Sequence, residues 1–377
     1  MQNHIIKTGK KKIKLCIITP TLFGGGAERI AVNLANQYTK SGINTTLISL
    51  RGEGPYRKQI NPDVNFINLK VKRVRYGLAA LYKELREQQP THIISVLMES
   101  NIILGLALFF NRKPKLIFRE ANTMDAVTRQ NALKRAISLI RLRFSYSRTN
   151  KIIANSPDTK KDLVKLKIAD AKKIKVIPNP VLPVEYRELA KKSVSDDWLN
   201  DENLKVALNV GRLHEQKDQK LLIKSFVDLV AEDNRLRLII LGDGDEKDNL
   251  QKIIDEHHLN NFVKIVPFQD NPWPYYKNAD VFVLTSQWEG FGNVIVEALA
   301  CGTPVVSTNC PGGPAYILDN GKYGRLVPLG DKQALQAQIK KIINGEITFD
   351  KKELIKRGNE FSVEKKAHLY LKEILDA

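Results

Sequence analysis

Residues 279–318 read ADVFVLTSQWEGFGNVIVEALACGTPVVSTNCPGGPAYIL. The apolar run Val281–Leu284 is short enough for a buried strand and is bounded by polar residues. A loop with two glycines follows, and from Asn293 onward Val294, Ala298 and Leu299 recur at helical spacing. Gly292 and Asn293 are therefore expected at a helix N-terminus, where unpaired N–H groups and the positive end of the dipole favour an anion. Two carboxylates bracket the turn: Glu289 in the loop and Glu297, eight positions later, one turn into the helix. A strand, a glycine loop, an anion-binding helix end and two carboxylates suit a ligand that carries both hydroxyls and phosphate. A nucleotide sugar fits that description.

Upstream, short apolar runs alternate with amphipathic stretches, the pattern of a parallel sheet covered by helices. Strands are expected at 13–18, 45–50, 64–69, 92–97, 115–118, 152–154 and 174–177. The first leads through Pro20 and Gly24, Gly25 and Gly26 into a helix over 27–40. Three prolines within 178–183 and the polar run AKKSVSDDWLNDEN at 190–203 interrupt the pattern. It restarts with strands at 206–210, 236–241, 262–266, 281–284, 305–306 and 324–327, and with helices from Gln219, over 248–257 and from Asp331 to the end. The chain thus reads as α/β, with two Rossmann-like open parallel-sheet domains: 1–185, a linker at 186–203, and 204–377, the last helix being able to pack back on the first domain. Open sheets bind ligands at the C-terminal ends of their strands, so two such domains define a cleft.

A length of 377 residues with 43% apolar content supports two cores. Cys16, Cys301 and Cys310 lack CxxC spacing, and their odd number suits a reducing compartment. The basic start runs into a short strand, not into a long apolar signal segment. The stretch 93–110 is the best membrane-spanning candidate, but Glu99, Ser100 and Asn101 interrupt it, and a strand plus a helix fit better. The net charge of +19 is uneven, at +22 for residues 1–190 and −3 for 191–377. A half so basic calls for an anionic partner. Within it, 129–148 reads as a basic amphipathic helix pairing Leu133, Ile137, Ile140 and Phe144 with Lys134, Arg135, Arg141, Arg143 and Arg148. Such a helix can lie on an anionic bilayer or pack its apolar side on the sheet; the charge of the whole half favours the bilayer.

Other constellations narrow the chemistry. In PTLFGGGAERIAVNLA, Gly24 and Gly26 have the GxG spacing, but Arg29 stands where a dinucleotide fingerprint needs its third glycine. In VGRLHEQKDQ, Gly211, Arg212 and Lys217 follow the first strand of the second half, at the same sheet end as Glu289, where two cations can balance a diphosphate. GDGDEKD at 242–248 looks like a metal-holding acid pair, yet a glycine turn between strand and helix needs no metal. No histidine has metal-ligand spacing, and no GxSxG or nucleophilic triad is present.

Glu289, Gly290, Phe291, Gly292, Asn293, three further residues and Glu297 together resemble the E-x7-E motif of retaining glycosyltransferases of family 4, which have the GT-B fold. GGAERIAVNLA, Asn155 to Pro157, VIPNPV, VGRLHEQKD, LGDGDE and KYGRLVP resemble the same family in the same order, over nearly the whole chain. The resemblance implies a bacterial enzyme of the cell-surface polysaccharide or lipid-linked oligosaccharide type. Glu297 would hold the donor's ribose hydroxyls, and Glu289 a hydroxyl of its sugar. The N–H groups of Phe291, Gly292 and Asn293 would line sugar and phosphates, Arg212 and Lys217 would grip the diphosphate, and Gly25 and Gly26 would face them. It implies no metal and no cofactor. The sequence departs from the family at Arg119, Glu120, Ala121 and Asn122, where many members carry a histidine; Glu120 or Asn122 would take over acceptor contacts. Tyr316 stands where members often have a glutamate and is left out of the donor site.

The expectation is a metal-independent, retaining glycosyltransferase that moves a hexose or N-acetylhexosamine from a UDP-sugar to a lipid-linked or envelope saccharide. It would be cytoplasmic and peripheral on the inner face of the membrane. An epimerase or sugar phosphorylase on the same fold is the alternative. A nucleic-acid-binding protein is more remote, because no RNA-binding motif or interleaved surface aromatics accompany the charge.

Overall fold

A computed structural model describes residues 13–23, 25–121, 124 and 131–377. The first half builds a seven-stranded sheet from β1 (Lys14–Thr19), β2 (Asn44–Ser49), β3 (Asn65–Asn68), β4 (His92–Val96), β5 (Lys115–Glu120), β6 (Lys151–Ala154) and β7 (Ile174–Val176), in the order β3-β2-β1-β4-β5-β6-β7. The second builds a six-stranded sheet from β8 (Lys205–Val210), β9 (Leu236–Leu241), β10 (Val263–Val266), β11 (Val281–Leu284), β12 (Val305–Thr308) and β13 (Arg325–Val327), in the order β10-β9-β8-β11-β12-β13. Every strand pairing is parallel. Helices cover both faces of each sheet, so the central strands are apolar on both sides and read as unbroken runs.

Alternate residues of one strand serve different cores. Cys16 and Ile18 of β1 pack with Ile48, Ile93 and Phe118 on one face. Leu15 and Ile17 pack with Leu47, Ile94 and Ile117 on the other, together with Ile30, Leu34 and Tyr38 of the helix Gly26–Lys40. That second core also takes Ala367, Tyr370 and Ile374 from the C-terminal helix Val363–Leu375. The chain returns to the first half beside the linker, where Val363 N–H donates to Leu182 O at 2.8 Å.

The strand order reverses between β1 and β4 and between β8 and β11. The loops leaving the C-terminal ends of these strands open a crevice in each half, and the two crevices face each other. The stretch 93–110 holds β4 and the helix Met98–Ala107, and no helix among the described residues is long and apolar enough to cross a membrane. The basic amphipathic helix is Ala132–Ser147. It buries Leu142, Ser145 and Tyr146 and leaves Leu133, Ile137, Ile140 and Phe144 exposed. Its apolar stripe therefore does not pack on the sheet. Arg148 departs from the expected basic face: it is buried, donating to the carbonyls of Leu108, Asn111 and Pro114.

Candidate active site

In the second half, two loops are stitched together at the end of the sheet. After β8 the chain passes Gly211 and makes a short turn, Glu215–Lys217. The GDGDEKD segment forms the floor beneath it: a Cβ on Gly242 would sit 1.9 Å from Gly211 O, so only glycine permits this approach. Asp243 is spent structurally, its Oδ2 accepting from Phe268 N–H at 2.8 Å. After β11, Thr285 Oγ1 donates to Lys217 O at 2.9 Å, and Gln216 Nε2 donates to Trp288 O at 2.8 Å.

These bonds bring Lys217 and Glu289 together. Lys217 Nζ donates to Glu289 Oε1 at 2.5 Å and Ser286 Oγ donates to the same oxygen at 2.6 Å, while Oε2 has no partner among the described residues. Both donors are charge-assisted partners of a buried carboxylate, and they fix its rotamer. Arg212 points outward, exposed and unpaired among the described residues. The Glu289 loop is pinned from behind as well. Glu289 N–H donates to Pro311 O at 3.0 Å, and Cβ atoms on Gly312 and Gly313 would lie 1.9 Å from Glu289 O and Phe291 O.

The helix Asn293–Cys301 starts from Gly292, which is left-handed at φ 95°. Ile295 N–H donates to Gly292 O, but the N–H groups of Phe291, Gly292 and Asn293 have no acceptor among the described residues. The Phe291 ring is turned into the core against Phe361, 5.6 Å between centroids, so this residue presents its backbone to the cleft. Tyr316 packs on the same ring and stays out of the loop. Glu297, a turn further on, is buried; its Oε2 accepts from Tyr276 OH at 2.8 Å. Burial, and then the Glu297 carboxylate, push the Tyr276 phenol well above its ordinary pKa and keep it a donor. Burial above all, with Glu297 near Cys301 and Glu289 near Cys310, pushes both thiols up to about 12. Neither is a thiolate nucleophile at neutral pH.

The first half meets these groups directly. Arg29 Nη1 donates to Glu297 Oε1 at 2.5 Å. Burial opposes the Arg29 charge, but Glu297 together with Tyr56 and Tyr276 more than offsets this, and the guanidinium pKa is raised. Asn179 Nδ2 donates to Asn293 Oδ1 at 2.8 Å, and Gly312 N–H donates to Asp158 Oδ2 at 3.1 Å. Gly26 faces Asn293 so closely that a Cβ there would lie 2.9 Å from Asn293 Nδ2. Gly25 is the N-cap of the helix Gly26–Lys40. Glu120, expected to reach the acceptor, is turned inward: it accepts from Tyr146 OH and, at 3.2 Å, from Ala121 N–H. Asn122 and Gly24 lie outside the described residues.

Arg29, Asp158, Asn179 and Tyr276 were not marked as site residues by the sequence. A further residue it did not mark is Arg119, wholly buried in β5, whose Nη2 donates to Asn179 Oδ1 at 2.5 Å and Nε to Tyr370 OH at 3.1 Å. Because arginine only donates, it fixes the Asn179 amide with its nitrogen towards Asn293.

Two parallel-sheet domains whose switch-point crevices face each other define a two-domain, Rossmann-like architecture of the GT-B kind. Residues 24–183 match the family described as Glycosyltransferase Family 4, and residues 191–361 match that described as Glycosyl transferases group 1. The chain belongs to this family of GT-B glycosyltransferases. It is 27% identical over 347 residues, 88% of this chain and 91% of the relative, to the N-acetylgalactosamine-N,N'-diacetylbacillosaminyl-diphospho-undecaprenol 4-alpha-N-acetylgalactosaminyltransferase of Campylobacter jejuni. It is 29% identical over 328 residues, 85% of this chain and 86% of the relative, to the lipopolysaccharide core biosynthesis glycosyltransferase LpsE of Rhizobium meliloti. The solved structure of Anabaena HepE in complex with UDP and glucose superposes with a TM-score of 0.80 at 20% identity, covering 97% of this chain and all of that one, and agrees in fold.

Proposed function

We propose that the protein is a retaining glycosyltransferase that moves a hexose or N-acetylhexosamine from a UDP-sugar to a lipid-linked or cell-envelope saccharide at the inner face of the cytoplasmic membrane. The observation that carries the donor half is the pairing of Glu289, held by Lys217 with one oxygen free among the described residues, with a helix start whose first N–H groups lack acceptors there. In this reading the free oxygen of Glu289 takes a hydroxyl of the sugar, and Glu297 takes the ribose. The N–H groups of Phe291, Gly292 and Asn293 hold the phosphates at the positive helix end. Gly211 lies beside the Lys217 side chain, and Lys217 with Arg212 offsets the charge that grows on the departing diphosphate.

The acceptor hydroxyl oxygen then forms its bond to the anomeric carbon on the face from which the nucleotide diphosphate leaves. The carbon–oxygen bond to the phosphate breaks, and the hydroxyl proton passes to the leaving phosphate oxygen. Configuration is kept, no carboxylate has to act as nucleophile, and the two cations take the place a divalent metal would otherwise fill. Gly25 and Gly26 face this junction from the acceptor side. The relative from Campylobacter jejuni is named for a diphospho-undecaprenol acceptor, which supports a lipid-linked acceptor here.

The test is a panel of UDP-, GDP- and ADP-sugars incubated with polyprenyl-diphosphate-saccharide extracts, followed by product mass and anomeric configuration. Transfer from a UDP-sugar with an α-linked product, undiminished by a chelator, is expected. An inverted product, loss of activity with the chelator, or epimerised donor in the absence of acceptor would each overturn the corresponding part.

A further inference from the structure

Glu297 is 2% exposed, too little for a ribose to touch it in this arrangement. Both of its oxygens are engaged: Oε2 by Tyr276 and Oε1 by Arg29. Tyr276 is wholly buried in the core of its own half, between Trp273 and Phe282. It has nowhere to go. Arg29 comes from the opposite half, on the helix Gly26–Lys40. Its side chain is 19% exposed at the cleft, and its guanidinium lies 5.9 Å from the Trp273 ring centre. The movable group over the carboxylate is therefore the arginine. A long side chain entering from another domain can withdraw by rotamer change or by separation of the halves, with no loss from the core that holds Glu297.

We propose that Arg29 is a latch displaced by the nucleotide: it occupies the carboxylate meant for the ribose, and a donor binds by expelling it. This rests on the reading of Glu297 as the ribose-binding group. Two neighbouring contacts have the same character, since Asn179 and Asp158 of the first half engage Asn293 and the Gly312 N–H of the second. The two halves are thus joined through polar groups at the candidate donor site. Competition of this kind lowers the apparent affinity by the fraction of molecules in which Glu297 is free. A positioning or purely structural arginine would act oppositely, because its removal would loosen the site and weaken binding.

Calorimetric titration of UDP, GDP and ADP into the wild type, Arg29→Met and Glu297→Gln separates these cases. Methionine keeps an unbranched apolar stem and removes the donors and the charge. The nucleotide bound by the wild type should bind Arg29→Met roughly tenfold more tightly, and Glu297→Gln at least tenfold more weakly. Unchanged or weaker binding by Arg29→Met, with Glu297→Gln still impaired, would overturn the latch and leave the role of Glu297 standing. Wild-type affinity in Glu297→Gln would overturn the ribose reading beneath it. Binding of none of the three nucleotides to any variant would overturn both. Should Arg29→Met not fold, Arg29→Lys, which keeps the charge but loses the planar fork, should still bind more tightly than the wild type. Equal or weaker binding by it counts against the latch.

Discussion

At the scale of single residues, the donor half depends on how one carboxylate is divided. Lys217 and Ser286 both approach Oε1 of Glu289, which leaves Oε2 as an acceptor in a nearly closed site. Glu289→Gln keeps the size and can still accept from Lys217 and Ser286 through its carbonyl, but its second position becomes an amide that donates. A sugar hydroxyl would then meet the wrong partner, and Lys217 would lose its counter-charge. We expect kcat/KM for transfer to fall roughly a hundredfold, a typical effect of losing one charged hydrogen-bonding group at a reacting centre, with little change in Tm. Transfer at the wild-type rate would remove Glu289 from the site. Glu289 and Glu297 could be read from the sequence because they stand eight positions apart on one loop and helix. Their partners could not. Arg29 meets Glu297 across 268 positions and Asn179 meets Asn293 across 114, and pairings of that range leave no local spacing to detect.

At the scale of elements, runs that are largely apolar were legible, whereas β12 and β5 were cut short where buried polar residues extend them. The runs at 236–241 and 281–284 coincide with β9 and β11 because 281–284 is unbroken, only Arg237 interrupts 236–241, and both end at turns. β12 was read as 305–306 but continues through Ser307 and Thr308, whose hydroxyls find carbonyls, Thr308 donating to Ser286 O at 2.6 Å. β5 was read as 115–118 but continues through Arg119 and Glu120, charged residues that a strand tolerates only with the buried partners they have here. The segment at Gly312 and Gly313 is of the same kind, since its purpose is visible only against the Glu289 loop. A Cβ at residue 313 would strike Phe291 O, which is backbone and cannot turn aside. Gly313→Ala should therefore displace the loop that carries the unpaired N–H groups. The expected cost is about 2 kcal/mol, in the range of overpacked sites, read as a Tm lowered by roughly 4 °C or more together with weaker nucleotide binding. Wild-type Tm and affinity would show that the loop yields and that the glycine is not required.

At the scale of the whole molecule, the excess of +22 in residues 1–190 is joined to an apolar surface that charge alone did not reveal. Phe109 stacks on Phe144 with ring centres 4.2 Å apart, which links the end of the helix Met98–Ala107 to the helix Ala132–Ser147. Phe110 beside them is 96% exposed, and Leu133 and Ile140 are 73% and 65% exposed. Arg112, Lys113, Lys134 and Arg141 lie exposed in the same two segments. Apolar side chains left in water next to cations match a bilayer interface, where the rings enter the acyl boundary and the cations meet anionic headgroups. Each basic residue near such a surface contributes about 1 kcal/mol, and each fully inserted large side chain about 2 kcal/mol, so neither set alone is dispensable. The wild type should float with phosphatidylglycerol-containing vesicles at low salt and be released progressively as salt rises. Phe110→Glu combined with Ile140→Glu should abolish flotation, because both side chains are exposed and the folded cores do not need them. Nucleotide binding, which we assign to the other half, should be unchanged in the double variant. Flotation of the double variant at the wild-type level would exclude this surface as the membrane contact. Failure of the wild type to float at any salt would mean that the basic half meets its anionic partner without a bilayer.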